Sequence, residues 1–295
     1  MRAAKAETGT APADGGWNGF IAEKLREAAA LLAQQQANPF RVSAYRHAAD
    51  TIAALDRDVA AIFEEDGEEG LEALPHIGRS LAAAIAEMVR TGRWSQLDRL
   101  RGTLDPVKAF QTVPGIGPEL ARRIHDHLHI DTLEALELAA HDGSLERVPG
   151  LGPRRAAIVR HGLAAMLARR RPQLSRAQPA RPDVGLILDV DAEYRRKAKA
   201  DTLPKIAPRR FNPTGTAWLP ILHAQRGDWE FTALFSNTPL AHELGRTRDW
   251  VVIYFHTDND PEGQCTVVTE TRGSLEGQRV VRGREEECRR HYRQA

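Results

Sequence analysis

Apolar positions recur at helical spacing through the first part of the chain. Ile21, Leu25, Ala28 and Leu32 share one face, which predicts a helix with Asn18 as its N-cap. ANPF around Pro39 ends it. Val42, Tyr45, Ala49 and Ile52 then mark one face of a second helix, and the acidic run EEDGEEG predicts a loop. Residues 1–16, small, polar and Gly-rich, read as a disordered tail.

Three related stretches follow: LPHIGRSLAAAIAEMV, VPGIGPELARRI and VPGLGPRRAAIV. Gly78, Gly117 and Gly152 hold the same place in each, which makes this an internal repeat. Each unit predicts helix, hairpin turn, helix, the glycines turning the backbone through φ > 0. The first unit has His76 where the others have Gly115 and Gly150, so its turn is the weakest of the three expected phosphate binders. A helix start with open backbone amides suits a phosphate.

Past residue 183 the period changes to alternation. WLPILHAQ, WEFTALFS, WVVIYFHT and QCTVVTET predict four strands, the first two joined by RGD and the last two by DNDPEG, and REEECRRHYRQ predicts a closing helix. The fold class expected is α+β: an all-α N-terminal half, then a small, mainly antiparallel C-terminal domain. The expected boundaries are 17–103 for the first helical domain with its hairpin, 104–168 for the second and third hairpins, 169–183 for a basic Pro-rich linker and 184–295 for the C-terminal domain.

Charge sharpens the picture. The net charge is +1, yet residues 72–182 carry 17 basic and 11 acidic side chains while residues 1–71 carry 7 and 12. The basic segment is the one with the repeats, which favours a polyanionic partner. Two cysteines make no disulfide framework, no run of 18 apolar residues exists, and the first residues lack the apolar core of a signal peptide. The expectation is a cytoplasmic, nucleoid-associated protein with no membrane partner.

FRVSAYRHAADTIAAL, LPHIGRSLAAAIAEMVRTGRWSQLDRLR and VPGIGPELARRI followed by IDTLEAL together resemble the N-terminal half of family X DNA polymerases, the family of DNA polymerase beta, over about residues 18–165. The resemblance implies a small helical domain that grips the 5′-phosphate side of gapped DNA, and hairpins that bind the DNA backbone. It places DNA contacts at Arg41, Tyr45 and His47, and at the turns Gly78–Arg79, Gly115–Ile116–Gly117 and Gly150–Leu151–Gly152 with Arg154 and Arg155. It also implies a monovalent cation, K⁺ or Na⁺, on the backbone of Gln111, Val113 and Ile116; no other cofactor is expected. The lyase of that family needs a Schiff-base lysine six residues after Gly78, where this chain has Ala84; a neighbouring family lysine is Ser80. No lysine occurs between Lys24 and Lys108, so the amine for that chemistry is missing.

A polymerase palm requires three carboxylates around two metal ions. Asp189 and Asp191 form D-x-D and Asp249 lies downstream, but the Gly-Ser segment that should precede them is missing and AEYRRKAKA looks helical. Asp189 or Asp191 then reads as an N-cap. The expected function is sequence-independent binding of gapped, nicked or duplex DNA in repair or end recognition, with a repair enzyme as a possible partner. The alternatives are a divergent nucleotidyltransferase on Asp189, Asp191 and Asp249, a metal-dependent nuclease on Asp249, Asp258, Glu262 and Glu270, or a protein-docking C-terminal domain. His223, His242, His256, Cys265, Cys288 and His291 read as scattered residues rather than a zinc site. The C-terminal aromatics Trp218, Trp229, Trp250, Phe231, Phe235, Tyr254 and Phe255 read as core, with one exposed ring beside Arg209 and Arg210 able to stack on a base.

Overall fold

The computed structural model describes residues 16–103, 106–128, 130, 133–141, 143–167, 181–258 and 260–294. The expected tail, but for Gly16, and the expected linker, but for residues 181–183, lie outside them. The chain divides into two compact units, residues 1–101 with 257–261, and residues 102–256 with 262–295.

In the first unit α1 (Gly16–Gln34) and α2 (Pro39–Ala53) pack together through Ile21, Leu25, Ala28, Leu32, Val42, Tyr45, Ala49 and Ile52, all buried. Asn38 caps α2, its Oδ1 accepting from the Phe40 amide at 2.9 Å. Asn18 is no N-cap, because α1 already begins at Gly16. Its side chain instead donates to the Leu55 and Arg57 carbonyls and accepts from the Val59 amide at 2.7 Å. The acidic run is no loop either. It lies within α3 (Val59–Glu72), whose axis breaks at Gly67 (φ 67°, ψ −150°), while Ile62 and Leu71 on either side are buried. α4 (Arg79–Thr91) and α5 (Ser95–Arg101) complete this unit.

In the second unit, α6 (Pro106–Phe110), α7 (Pro118–Leu128), α8 (Leu133–His141) and α9 (Pro153–Leu167) enclose a core that includes Phe110, Ile124, Leu136, Val159 and Leu163. The third repeat enters its turn through a short 3-10 segment, Ser144–Arg147, rather than a full helix; Gly143 at φ +79° precedes that segment.

The C-terminal part begins with α10 (Val184–Lys199), capped by Asp183, whose Oδ1 accepts from the Gly185 amide at 2.7 Å. Asp189 and Asp191 are therefore interior helical residues, not caps, though the stretch after Asp191 is helical as expected. An antiparallel sheet follows in strict chain order: β1 (Lys205–Ile206), β2 (Leu219–Arg226), β3 (Trp229–Phe235), β4 (Val251–Thr257), β5 (Asp260–Thr269) and β6 (Arg279–Val281). The expected DNDPEG turn is shorter than its sequence suggests, since β5 already starts at Asp260. α11 (Pro239–Glu243) sits between β3 and β4, and α12 (Glu285–Gln294) ends the chain.

Register explains the core. Phe231 opposes Phe255 and Ala233 opposes Ile253, and these meet Ile187, Val190 and Tyr194 of α10. Residues of the other parity, Thr232, Leu234, Val252 and Tyr254, are buried too, so β4 has the near-continuous apolar sequence of a strand covered on both faces. Tyr194 pins α10 to the sheet: its hydroxyl donates to the Pro220 carbonyl at 3.0 Å and accepts from the Phe235 amide at 2.8 Å, and burial pushes its pKa well up.

Candidate nucleic-acid interface

The three turns share one construction. Ile77, Ile116 and Leu151 are buried, and their amides donate back to Leu74, Val113 and Val148 at 3.2, 3.1 and 3.0 Å. The apolar residue thus nails each turn to the core, and its N–H is spent inside the turn. Of the sites expected to contact DNA, Ile116 and Leu151 therefore serve as anchors rather than as donors. Val113 O accepts from the Ile116 amide, which occupies one of its two lone pairs.

Left-handed backbone occurs at the first position only: His76 φ 61°, Gly115 φ 88° and Gly150 φ 82°. The second glycines do not need it. Gly78 is extended at φ −83°, and a Cβ on Gly117 or Gly152 would meet nothing within 4 Å. What they offer is bare access. The N–H groups of Gly117 and Gly152 have no partner among the described residues, and Pro118 and Pro153 carry none, so each helix start presents open backbone toward solvent. His76 adopts the same turn as the glycines at the steric cost of a Cβ.

Charge separates the turns. At the second, Glu119 sits in the first helical turn and engages Arg122 at 3.0 Å and Arg123 at 3.5 Å. At the third, Arg154 and Arg155 stand in the same place, with Arg155 Nη1 on the Gly150 carbonyl at 3.0 Å. Gly150, Gly152, Pro153, Arg154 and Arg155 line a concavity of about 440 Å³. Arg123 reaches across from α7 to the Pro149 carbonyl at 3.0 Å, adding a third cation. Sequence reasoning missed Arg123; the adjacent arginines of VPGIGPELARRI were the available signal.

On α2 the expected contacts have separate surroundings. Arg41 is buried, and none of its three guanidinium nitrogens has a hydrogen-bond partner among the described residues. A buried cation without a counter-charge is costly, and an anion would relieve it. Tyr45 is buried, stacked on Trp94 at 5.8 Å, and donates to Gln96 Oε1 at 3.0 Å, which makes it a packing residue. His47 is exposed, its ring 5.2 Å from that of His76. Ala84 is 8% exposed on α4.

The candidate carboxylates are held by arginines. Asp191 Oδ2 and Oδ1 accept from Arg279 Nε at 2.9 Å and Nη2 at 2.7 Å, and Asp249 Oδ1 accepts from Arg279 Nη1 at 2.8 Å. Asp189 pairs instead with Arg226 at 2.7 Å. The three carboxylates therefore do not share a metal position, and the nearest thing to a palm holds a guanidinium at its centre. Glu270 pairs with Arg282 at 3.1 Å. Among the described residues no three His, Cys, Asp or Glu side chains form a metal group. The histidines and cysteines are scattered: His223 Nδ1 faces Thr232 Oγ1 at 3.1 Å, Cys288 Sγ accepts from the Val281 amide, and burial pushes the Cys265 thiol up to about 12.

These turns define a protein of tandem helix-hairpin-helix construction. Residues 17–94 match the family described as helix-hairpin-helix domain, and residues 107–159 match the SAM-like helix-hairpin-helix tandem. The chain is 28% identical over 116 residues to the DNA polymerase/3′-5′ exonuclease PolX of Bacillus subtilis strain 168, a stretch that is 39% of this chain and 19% of that relative. The likeness agrees with the N-terminal helix-hairpin-helix region of a family X polymerase, and the helix-hairpin-helix domains indicate DNA binding. No described helix is long and apolar enough to cross a membrane.

Proposed function

We propose that this protein binds DNA through backbone phosphates without reading sequence, as a repair factor at gaps, nicks or ends. The third turn carries the proposal: an open helix start at Gly152, a Gly150 carbonyl and a Pro149 carbonyl each braced by an arginine, and Arg154 beside them. Phosphate oxygens take N–H donors and cations from such a start with no base contact. The second turn adds a weaker copy, and a K⁺ or Na⁺ on the carbonyls of Gln111, Val113 and Ile116 would offset Glu119. Arg41 adds a place for a terminal 5′-phosphate. The reaction itself would come from a partner repair enzyme, in a nucleoid setting, because this chain has Ala84 at the lyase position and Arg279 between two of its candidate carboxylates.

The test is fluorescence anisotropy on two unrelated duplexes across a salt series. With roughly five to seven phosphates neutralised, log K should fall against log salt with a slope of about −4.5 to −6. Gly117→Val with Gly152→Val should weaken both duplexes alike. Unchanged affinity in a folded double variant would move the DNA site elsewhere. Arg41→Gln should abolish any preference for 5′-phosphorylated over 5′-hydroxyl gapped DNA while leaving plain duplex binding as it was.

A further inference from the structure

The loop between β1 and β2, APRRFNPTGTAW, carries two arginines and no acid. Within it Phe211 is 49% exposed and held at φ +52°, a left-handed conformation that a bulky side chain seldom adopts. Its ring lies 4.2 Å from that of His242 with the planes tilted by 31°, and Trp218 meets the same imidazole edge-on at 6.5 Å. Phe211 is thus backed on one side and open on the other.

The backing is hydrogen-bonded in place. His242 Nε2 donates to Asn237 Oδ1 at 2.6 Å, and Asn237 Nδ2 donates to the Arg210 carbonyl at 3.1 Å, so the helix beneath the ring and the loop that carries it are tied through one side chain. Burial lowers the His242 pKa, which keeps the imidazole neutral and suited to a face-on neighbour. The Arg209 amide donates to the Gly102 carbonyl at 2.8 Å, and Arg210 Nη1 lies 3.3 Å from His125 Nε2, joining the loop to the segment that bears the second and third hairpins, in the same compact unit.

Cations lie on the two segments that carry the ring and its backing, Arg209 in the loop and Arg246 and Arg248 just past the helix that bears His242. Arg209 and Arg248 are exposed, and neither side chain has a partner among the described residues; Arg246 is exposed and only 4.0 Å from Asp249. Glu243 is the one acid of the segment 239–248. An open aromatic face among arginines suits a nucleobase with its phosphates, because every base has a π-face to stack while the backbone needs only cations. A duplex hides those faces, so the occupant must be unpaired.

We propose that Phe211, supported by His242 and flanked by Arg209, is a stacking platform for an unpaired base of single-stranded DNA. It rests on the reading of the hairpins as duplex binders, and it would place a strand separated from the duplex on the C-terminal sheet domain. Neither helix-hairpin-helix match, at residues 17–94 and 107–159, covers this loop.

The full-length protein would be titrated by anisotropy with three probes: a short oligothymidylate, an abasic oligomer of the same length and charge, and a blunt duplex. The wild type should bind oligothymidylate more tightly than the abasic oligomer. Phe211→Ala should weaken oligothymidylate about tenfold and erase that preference, Phe211→Trp should keep it, and the duplex should be untouched by either. Arg209→Glu should weaken both single strands alike. Equal binding of the two single strands by the wild type, or unchanged oligothymidylate binding in Phe211→Ala, would overturn the platform and leave the patch to a protein partner. Loss of duplex binding in the wild type would instead overturn the hairpin reading on which the platform stands. Thermal unfolding shows whether each variant is folded, and because Phe211 is exposed its removal should move the midpoint little.

Discussion

Arg279 grips Asp191 at two points, with Nε 2.9 Å from one carboxylate oxygen and Nη2 2.7 Å from the other, and with Asp191 only 1% exposed. The third nitrogen, Nη1, goes to Asp249. Removing the guanidinium leaves a buried carboxylate uncompensated. Arg279→Met should therefore cost about 3–5 kcal/mol of stability, read from urea unfolding. Arg279→Lys should recover little, since an ammonium cannot reproduce the fork. A loss under about 1 kcal/mol would mean that water reaches Asp191 and replaces the pair.

The same grip predicts no metal-dependent synthesis at these carboxylates. Mg²⁺ and deoxynucleotides added with gapped DNA should give no primer extension, because the carboxylates that would hold metal are committed to a cation already. Extension that vanishes in Asp191→Ala would overturn this.

Within each turn the two glycines should behave differently. Gly115→Ala and Gly150→Ala place a Cβ at positive φ, against Ile158 Cγ2 at 3.1 Å and Arg123 Nη1 at 2.6 Å, and should lose about 1–2 kcal/mol. Gly117→Ala and Gly152→Ala meet no such strain and should unfold like the wild type. His76→Gly runs the experiment backwards, with a gain of up to ~1 kcal/mol after the entropy of glycine is subtracted. Equal losses at both positions of a turn would contradict the geometry.

Borohydride should trap no adduct between this protein and DNA bearing a 5′-deoxyribose phosphate. Ala84 has no amine, and the chain holds no lysine from residue 25 to residue 107. An adduct mapping to the first helical unit would sink the prediction.

Acid should destabilise the C-terminal domain in two stages. Burial holds His242 below its usual 6.5, so the folded form binds fewer protons than the unfolded one and stability falls as pH drops from 6.5 toward the folded value. Lys197 and Arg226 hold Glu193, the Thr271 amide and Arg282 hold Glu270, and Arg284 holds Glu287, below the usual 4.5. Their contribution is complete above 4.5 and is lost as pH falls through the folded values. In melting curves the first stage should vanish in His242→Asn and the second remain.

The helical half was legible because local patterns carry it. Apolar spacing in α1 and α2 named their buried faces, and the repeated glycines located all three turns. Strands β2 to β5 were legible as β-rich runs, β4 as an unbroken apolar one rather than an alternating one, but β1 and β6, two and three residues long, are too short for a period to register. The acidic run of α3 misled because a charged composition is compatible with a helix once Ile62 and Leu71 are buried. Spacing in the chain also suggested a metal triad that the fold does not make. Asp191 and Arg279 are 88 residues apart, and nothing in the local sequence of either announces the other. An exposed ring beside Arg209 and Arg210 was legible in the sequence, but Phe211 was not among the aromatics named, and nothing local announces its left-handed backbone at φ +52°.

The strict chain order of the sheet leaves its two shortest strands at the outside. β1 pairs with only Leu219 and Pro220 of β2, and β6 with only Val267, Val268 and Thr269 of β5, so beyond those residues the outer margins of the two long strands have no strand beside them among the described residues. Pro220 in β2 and Pro261 in β5 remove a backbone donor from each of these strands, which works against pairing with another copy of the chain. A protein that gathers on DNA at high local density would profit from such blunt margins, remaining dispersed where copies crowd together.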